Sequence, residues 1–176
     1  MRLDYNAAMK VKIACFAGWS DTGKTGFIVA CIEFLASRGV RSGAVKCVHH
    51  AGSFNLPGKD TTRFFEAGAS AAIISGQEAH IIKTVPVEWN RLYLEALFPE
   101  VAVLLVEGRM LDDSVRVLVG GAATEQAGLK FPLADFNVLV TDDTALAETA
   151  RSAGLVTYRS DQASNFVTEY LLADTV

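Results

Sequence analysis

The sequence lacks three features that would each indicate a different class of protein. It has no basic excess, because 16 Lys and Arg stand against 20 Asp and Glu, for a net charge of -4. Broad nucleic-acid binding needs a dense basic surface, so we expect no nucleic-acid partner. No run reaches the 18 apolar residues that a membrane-spanning helix needs. The start, MRLDYNAAMKVK, carries charges where a signal peptide has an unbroken apolar stretch. We therefore expect no association with membranes.

Cysteine is scarce, with three residues at positions 15, 31 and 47 and no CxxC pair. An odd number of widely spaced cysteines argues against a secreted disulfide framework. Cys15 lies in an apolar strand-like run and Cys31 on the apolar side of a helix-like stretch, and free cysteines in such places are commonly buried and inert. The pattern favours a cytoplasmic protein.

What the sequence does contain is an alternation of apolar runs with helix-like stretches. The runs are continuously apolar, which is typical of strands buried on both faces of a mostly parallel sheet. We predict an α/β fold with helices on both faces of that sheet, in a single domain over residues 1–176. The predicted strands are KIACFA, SGAVKCV, SAAIIS, VAVLLVEG, VRVLVGG, FNVLVT and LVTY. The predicted helices are GKTGFIVACIEFLASRG, DTTRFFEAG, VEWNRLYLEALFP, DTALAETARSAG and DQASNFVTEYLLAD. The least regular stretch, 109–136, fits either an exposed loop or a strand pair.

The stretch GWSDTGKT, residues 18–25, matches the phosphate-binding pattern G-x-x-x-x-G-K-[ST]. Its glycines allow backbone N–H groups to approach a phosphate closely, and the helix that follows directs its positive end at the same phosphate. Lys24 is expected to reach the β- and γ-phosphates and Thr25 to ligate Mg²⁺. The predicted nucleotide-binding residues are Gly18, Trp19, Ser20, Asp21, Thr22, Gly23, Lys24, Thr25 and Gly26, with Lys24 and Glu107 in catalytic roles.

A P-loop site needs an acid for the metal, usually at the end of a neighbouring buried strand. Glu107 follows the apolar run VAVLLV and precedes Gly108, which fits the metal role better than the alternative of a solvated charge at a strand end, and Glu107 is therefore our candidate. Asp60, in GKDTTR, is a second candidate metal ligand and equally a helix N-cap, and the neighbouring Lys59 is an alternative residue that could face the phosphates and the metal. The predicted metal-binding residues are Thr25, Glu107 and Asp60.

Two further aspartates are candidates for nucleotide contacts. Guanine offers N1–H and N2–H₂ donors, and Asp142, at the end of the strand-like run FNVLVT, is our candidate to accept them, whereas Asp143 is the expected cap of the next helix. Asp21 lies inside the loop, where a carboxylate would repel polyphosphate. It is therefore expected to point outward, to act through metal or water, or to weaken nucleotide binding.

Several motifs in order resemble the MobB family, the adaptor proteins of molybdopterin guanine dinucleotide biosynthesis. They are FAGWSDTGKT, AVKCVHH, GKDTTRFFEAGA and LLVEG, within residues 13–108. The resemblance implies a P-loop NTPase fold, GTP with Mg²⁺, a homodimer, and assistance to the guanylyltransferase-type enzyme that attaches GMP to molybdopterin. It also implies that His49 and His50 line a nucleotide or pterin pocket, although both also fit ordinary polar residues at a strand end. The chain departs from the family pattern at Asp21, Gly26 and Cys47, and in RMLDDSVRVLV after Gly108.

Three functions are compatible with these patterns. The first is a GTP-binding accessory protein of molybdenum cofactor biosynthesis with weak Mg²⁺-dependent GTPase activity. The second is a small ATP-dependent kinase or ligase of a metabolite, since dethiobiotin synthetase also combines a P-loop with a strand ending in Glu-Gly. The third is a binding module that keeps the loop without the chemistry, for which Asp21 is the main support. The arginines at 63, 109 and 116 are scattered, whereas small kinases usually carry an arginine-rich lid.

Overall fold

The computed structural model describes residues 10–48, 63, 67, 68, 85–121 and 128–173, and the backbone of two strands at 71–75 and 78–82. The chain divides into two compact units, one formed by Met1–Cys47 with Leu94–Val176 and the other by Val48–Tyr93. Each is described by itself. The prediction of a single domain over residues 1–176 is not tested by this division and stays a prediction.

Eight strands are present in the described residues. They are β1 (Lys12–Ala17), β2 (Ser42–Lys46), β3 (Ala71–Ser75), β4 (Glu78–Ile82), β5 (Val103–Glu107), β6 (Val115–Val119), β7 (Val138–Val140) and β8 (Val156–Tyr158). Six of them form one sheet in the order β2-β5-β1-β6-β7-β8. Every neighbouring pair in this sheet is parallel, so the predicted parallel sheet is confirmed.

The helices are α1 (Lys24–Ser37), α2 (Arg91–Leu97), α3 (Thr144–Ser152) and α4 (Ala163–Phe166). A 3-10 helix occupies Leu133–Asp135, and a π-helical segment, Val167–Leu171, continues α4. The final helix was predicted as one α-helix, and the π-helical segment is a correction to that prediction. No helix in the described part of the chain is long and apolar enough to cross a membrane.

Helices cover both faces of the six-stranded sheet, as predicted. On one face α1, α4 and the π-helical segment pack against side chains of β1, β5, β6, β7 and β8. Phe16, Phe27 and Phe166 form an aromatic cluster there, with ring centroids 5.7 to 6.2 Å apart. On the other face Ala150 of α3 packs with Leu118 and Leu139. Because both faces are covered, β5 is buried at every residue from Val103 to Val106, which explains its unbroken apolar run.

The second unit contains a hairpin rather than part of the main sheet. β3 and β4 pair antiparallel, with Ala71 opposite Ile82 and Ser75 opposite Glu78. The run SAAIIS was predicted as a strand of the parallel sheet, and its strand character is confirmed but its sheet is different. β4 was missed, because Glu78 and His80 interrupt the apolar run by which the other strands were recognised.

One other predicted helix is corrected in its extent. The helix predicted over VEWNRLYLEALFP begins only at Arg91, because the Asn90 side chain accepts a hydrogen bond from the backbone N–H of Tyr93 at 2.8 Å and caps the first turn. In the stretch 109–136, the strand predicted over VRVLVGG is confirmed as β6, a 3-10 helix follows at Leu133–Asp135, and residues 122–127 lie outside the described part of the chain. The helix predicted over DTTRFFEAG lies, apart from isolated positions, outside the described residues.

The parallel arrangement determines where a site can form. The carboxyl ends of β5, β1, β6 and β7 lie at the same edge of the sheet, with β1 between β5 and β6. The loop from Gly18 to Gly23 leaves the end of β1 and leads into α1. Ligands of open α/β sheets bind at this edge, so the residues just beyond these strands form the candidate site.

Candidate functional site: a phosphate-binding loop at the sheet edge

The backbone of the loop at residues 18–23 takes conformations that glycine favours. Gly18 has a φ of 146° and Gly23 a φ of 89°, and Gly23 is the N-cap of α1. A Cβ atom at Gly18 would lie 2.3 Å from the carbonyl oxygen of Val119, closer than any real contact. Thr22 closes the turn by donating its hydroxyl to the carbonyl of Trp19 at 2.9 Å. The two glycines of the motif are therefore required by the geometry of the loop.

The end of β6 supports the loop from the side. A Cβ atom at Gly121 would lie 3.3 Å from the Cα and carbonyl oxygen of Thr22, and Gly120 donates its N–H to the carbonyl of Val140 at 2.9 Å. The glycines at 120 and 121 were not among the predicted site residues. The double glycine directly after an apolar strand was the available signal, since adjacent glycines mark places where another segment approaches closely.

Lys24, the first residue of α1, donates from its ammonium group to the carbonyl of Trp19. Burial lowers the pKa of Lys24, and the nearby carboxylate of Glu107 opposes that shift, while the cations Lys130 and Lys46 add to it. Asp21 contributes a smaller raising effect. A partly desolvated cation with two cations nearby is stabilised by an added anion, which is what a phosphate group supplies.

Thr25 and Glu107 meet beside Lys24, as the metal prediction requires. The Thr25 hydroxyl donates to Oε2 of Glu107 at 3.0 Å, and the ammonium of Lys46 lies 3.7 Å from Oε1. The Glu107 side chain is only 15% exposed, so these two partners replace much of its hydration. Lys46 was missing from the predicted site, although it stands in the quoted motif AVKCVHH and pairs with Glu107 in the register of β2 and β5.

The backbone conformation and close packing at position 108 require glycine there. The φ of Gly108 is 96°, and a Cβ atom there would lie 2.7 Å from the carbonyl oxygen of Cys47. The N–H of Cys47 donates to the carbonyl of Glu107 at 2.8 Å, and the N–H of Gly108 donates to Phe16 at 3.0 Å. The backbone around Glu107 is thus held between β1 and the end of β2, which fixes the base of the carboxylate.

The oxygens of Thr25 and Glu107 are hard ligands of the kind that Mg²⁺ prefers. In residues 10–48, 85–121 and 128–173 there is no cluster of three or more His, Cys, Asp or Glu that could hold a metal by itself. Magnesium is commonly bound by one or two carboxylates together with substrate phosphates rather than by a protein cage. The donor set therefore fits Mg²⁺ that arrives with a nucleotide. Asp60, the other predicted ligand, and His49 and His50 lie outside the described residues.

A cavity of about 490 Å³ adjoins the loop. It joins the loop with the ends of three strands, and its walls are Asp21, Thr22, Gly23, Phe27, Val119, Gly120, Gly121, Val140, Thr141, Asp142, Asp143 and Ser160. Asp142 and the loop residue Asp21, distant in sequence, therefore line one space. Asp21 has a φ of 60° and is exposed, as is Ser20 in the same turn.

Asp142 is held by the segment that follows β8. Its two oxygens accept hydrogen bonds from Ser160, from the hydroxyl at 2.6 Å and from the backbone N–H at 3.1 Å, and Nε of Arg159 lies 3.8 Å away. The hydrogen bonds from Ser160 lower the pKa of Asp142, so the group is a carboxylate acceptor at neutral pH. Asp143 caps α3 by accepting from the N–H groups of Ala145 and Leu146, as predicted. The guanine contact of Asp142 stays a prediction.

The cysteines agree with the expectation of inert thiols. Cys15 and Cys31 are buried and Cys47 is half-buried. Burial raises the pKa of Cys31 to about 12, which leaves the reactive thiolate scarce at neutral pH.

A buried parallel strand, a glycine-supported loop and a helix starting at Lys24, with a neighbouring strand ending in Glu107, define a P-loop nucleotide-binding fold. The predicted fold class is confirmed. The family described as "MobB: Molybdopterin guanine dinucleotide synthesis protein B" matches residues 13–139. The chain belongs to the MobB family.

Two curated relatives agree with this membership. The chain is 30% identical over 114 residues to the molybdopterin-guanine dinucleotide biosynthesis adapter protein of Escherichia coli, a match over 62% of this chain and 65% of the relative. It is 29% identical over 113 residues to the adapter protein of the same name from Haemophilus influenzae, a match over 62% of this chain and 64% of the relative. The chain therefore spans slightly less than two thirds of the length of these relatives.

Solved structures show the same fold. A crystal structure of Bacillus subtilis MobB aligns with a TM-score of 0.66 at 21% identity, over 91% of this chain and 98% of that one. The MobB homologue of Bacillus stearothermophilus aligns with a TM-score of 0.53 at 15% identity, over 92% and 94% of the two chains.

Two glycine-to-alanine variants should change stability in opposite directions. Gly18→Ala places a Cβ atom against the carbonyl of Val119 at a positive φ, and we expect it to lower the free energy of unfolding by about 1–3 kcal/mol. Gly26→Ala places its Cβ atom in open space within α1, and should raise that free energy by about 0.5–1 kcal/mol. Urea unfolding of both variants beside the wild type measures this. A Gly18→Ala protein as stable as the wild type would contradict the described loop.

Proposed function

We propose that this protein binds GTP with Mg²⁺ at residues 18–26 and serves as an accessory protein in molybdopterin guanine dinucleotide biosynthesis. The observation that carries the proposal is the meeting of Lys24, Thr25 and Glu107 at the end of the phosphate-binding loop, in a chain of the MobB family. The relatives from E. coli and H. influenzae are named as adapter proteins of this biosynthesis. Membership of this family favours the accessory role over a metabolite kinase or ligase.

The loop and the start of α1 bind the phosphate groups of the nucleotide. The free N–H groups at the start of α1 and the positive end of its dipole attract the phosphates. Lys24 exchanges its hydrogen bond to the Trp19 carbonyl for one to a phosphate oxygen, which also relieves the repulsion from Lys46 and Lys130. Thr25 and Glu107 would hold the Mg²⁺ that accompanies the phosphates, and that ion would supply positive charge to offset the phosphate charge.

The guanine base binds on the side of the cavity away from the loop. Asp142 lines the same space as the loop, and Ser160 and Arg159 hold its carboxylate in place. Each carboxylate oxygen accepts more than one hydrogen bond, so the contacts to Ser160 leave capacity for the N1–H and N2–H₂ donors of guanine. Adenine offers no pair of donors in that arrangement, and Asp142 therefore favours GTP over ATP.

An accessory role with slow GTP hydrolysis fits the charges around the cavity. Fast phosphoryl transfer gains most from an added arginine at the γ-phosphate and a residue that positions the attacking water. In the part of the chain that the structure describes, the residues that line the cavity include no arginine and no glutamine, and one of them is the acidic Asp21. We propose that the missing positive group comes from a guanylyltransferase-type partner enzyme, that molybdopterin is a further ligand, and that the protein works as a cytoplasmic homodimer.

Variants of two residues separate nucleotide binding from metal dependence. Lys24→Ala removes the cation at the phosphates, and we expect Mg·GTP binding to be lost in a folded protein. Glu107→Gln removes one charge and little volume, and it should retain GTP binding. The gain in GTP affinity that Mg²⁺ produces should be about tenfold or more smaller than in the wild type, since one charged metal ligand is lost. Calorimetric titration of GTP across a series of Mg²⁺ concentrations measures both effects. Unchanged GTP affinity in Lys24→Ala, or an unaltered metal dependence in Glu107→Gln, contradicts the assigned roles.

Turnover of the isolated protein should be slow. Phosphate release under saturating Mg·GTP is expected far below the rate of roughly 1–100 s⁻¹ that dedicated phosphotransferases reach, because the loop motif itself brings no arginine to the γ-phosphate. The matched measurement adds a molybdopterin guanylyltransferase. Fast multiple turnover without the partner, or turnover only with ATP and a small metabolite, would instead support the kinase or ligase alternative.

A further inference from the structure

A second segment of the chain reaches the phosphate-binding loop at Trp19. The indole Nε1–H of Trp19 donates to the carbonyl of Gly128 at 2.8 Å. Two residues further on, the ammonium of Lys130 lies 5.3 Å from the centre of the Trp19 ring and 5.6 Å from that of Phe131. The short segment Gly128–Phe131 is therefore attached to the loop through both the edge and the face of one indole.

This attachment brings a second lysine close to Lys24. The carbonyl of Trp19 accepts a hydrogen bond from the ammonium of Lys24, while the ring of Trp19 faces the ammonium of Lys130. The two cations are near enough for Lys130 to help lower the pKa of Lys24. One residue of the loop thus holds two lysines, one through its backbone and one through its side chain.

Lys130 is held only weakly in this position. Among the described residues no carboxylate forms an ion pair with Lys130, and the residue is exposed. A cation on the face of an aromatic ring gains only a modest attraction, whereas a hydrogen bond to an ionised phosphate is among the stronger contacts that a lysine makes. A polyphosphate at the loop would therefore attract the ammonium away from the ring.

A cation beside the loop would also offset the negative charge of Asp21. Asp21 places a negative charge among residues that would surround a polyphosphate, and it lies near enough to Lys24 to influence that residue's pKa. A like charge beside phosphates weakens their binding unless a cation offsets it. Lys46 is already engaged with Glu107, which leaves Lys130 as the nearby described lysine without a carboxylate partner of its own.

We infer that Lys130 is a second phosphate-binding cation, positioned by Trp19, which contacts the phosphates of a bound nucleoside di- or triphosphate. The inference rests on the proposed nucleotide binding and adds to it a residue from outside the loop motif. A cation at the outer phosphates contributes most to GTP, less to GDP and least to GMP, because the negative charge near the lysine falls in that order.

The test compares Lys130→Gln with the wild type for three guanine nucleotides. We expect Lys130→Gln to lose about tenfold in affinity for Mg·GTP, the effect of one charge-assisted hydrogen bond, and to lose less for GMP. Calorimetry measures GTP and GDP, and displacement of a fluorescent GDP analogue measures GMP. Lys130→Arg keeps the charge and should restore most of the GTP affinity.

Two further variants make the outcome decisive. Lys10→Gln removes a lysine that precedes β1 at the opposite edge of the sheet and pairs with Asp113 at 3.4 Å, and it should bind GTP as the wild type does. Wild-type GTP affinity in Lys130→Gln, or an equal loss for GTP and GMP, overturns the inference while loss of binding in Lys24→Ala leaves the proposed function standing. Retention of binding in Lys24→Ala would overturn the proposed function itself.

Discussion

The parallel pairing of β1 with β5 on one side and β6 on the other is the constraint on which the site depends. The register places Phe16 of β1 beside Glu107 of β5, so the acid lies next to the loop that leaves β1. The same strand is paired with β6, whose last residue, Val119, leaves room only for glycine at position 18. The loop is therefore fixed by its neighbours on both sides, and its conformation follows from the sheet rather than from the loop sequence alone.

Charge is the second organising feature of this edge. Lys46 and Lys130 both lie near enough to Lys24 to lower its pKa, and the partly buried carboxylate of Glu107 opposes their effect. Burial lowers the pKa of Lys24, and the two other lysines reinforce that effect, so the protein alone bears a cost in keeping these cations together. The negative charges of the proposed polyphosphate ligand would offset this repulsion. An anion that relieves this repulsion binds the folded protein, so binding is expected to raise the stability of the protein.

The features that could be predicted from the sequence are those whose signals are local. The loop motif, the strands with unbroken apolar runs and the cap at Asp143 are each specified by residues within a few positions of one another. Residues whose contacts to the loop or to Glu107 form only in the folded sheet were missed, because local sequence does not show which strand or segment lies beside them. Lys46 lies beside Glu107 only because of the register of β2 and β5, and Lys130 lies near the loop only because it packs over Trp19. The strand β4 was missed for a related reason, since its pairing with β3 rather than its composition makes it a strand.

Titration of the unmodified protein with GTP and with ATP, each with and without Mg²⁺, tests the central claim most directly. The arrangement of Lys24, Thr25 and Glu107 predicts binding that requires Mg²⁺, and the placement of Asp142 in the same cavity predicts tighter binding of GTP than of ATP. Equal or tighter binding of ATP would contradict the guanine assignment. Failure of the folded protein to bind either nucleotide in the presence of Mg²⁺ would contradict the account as a whole.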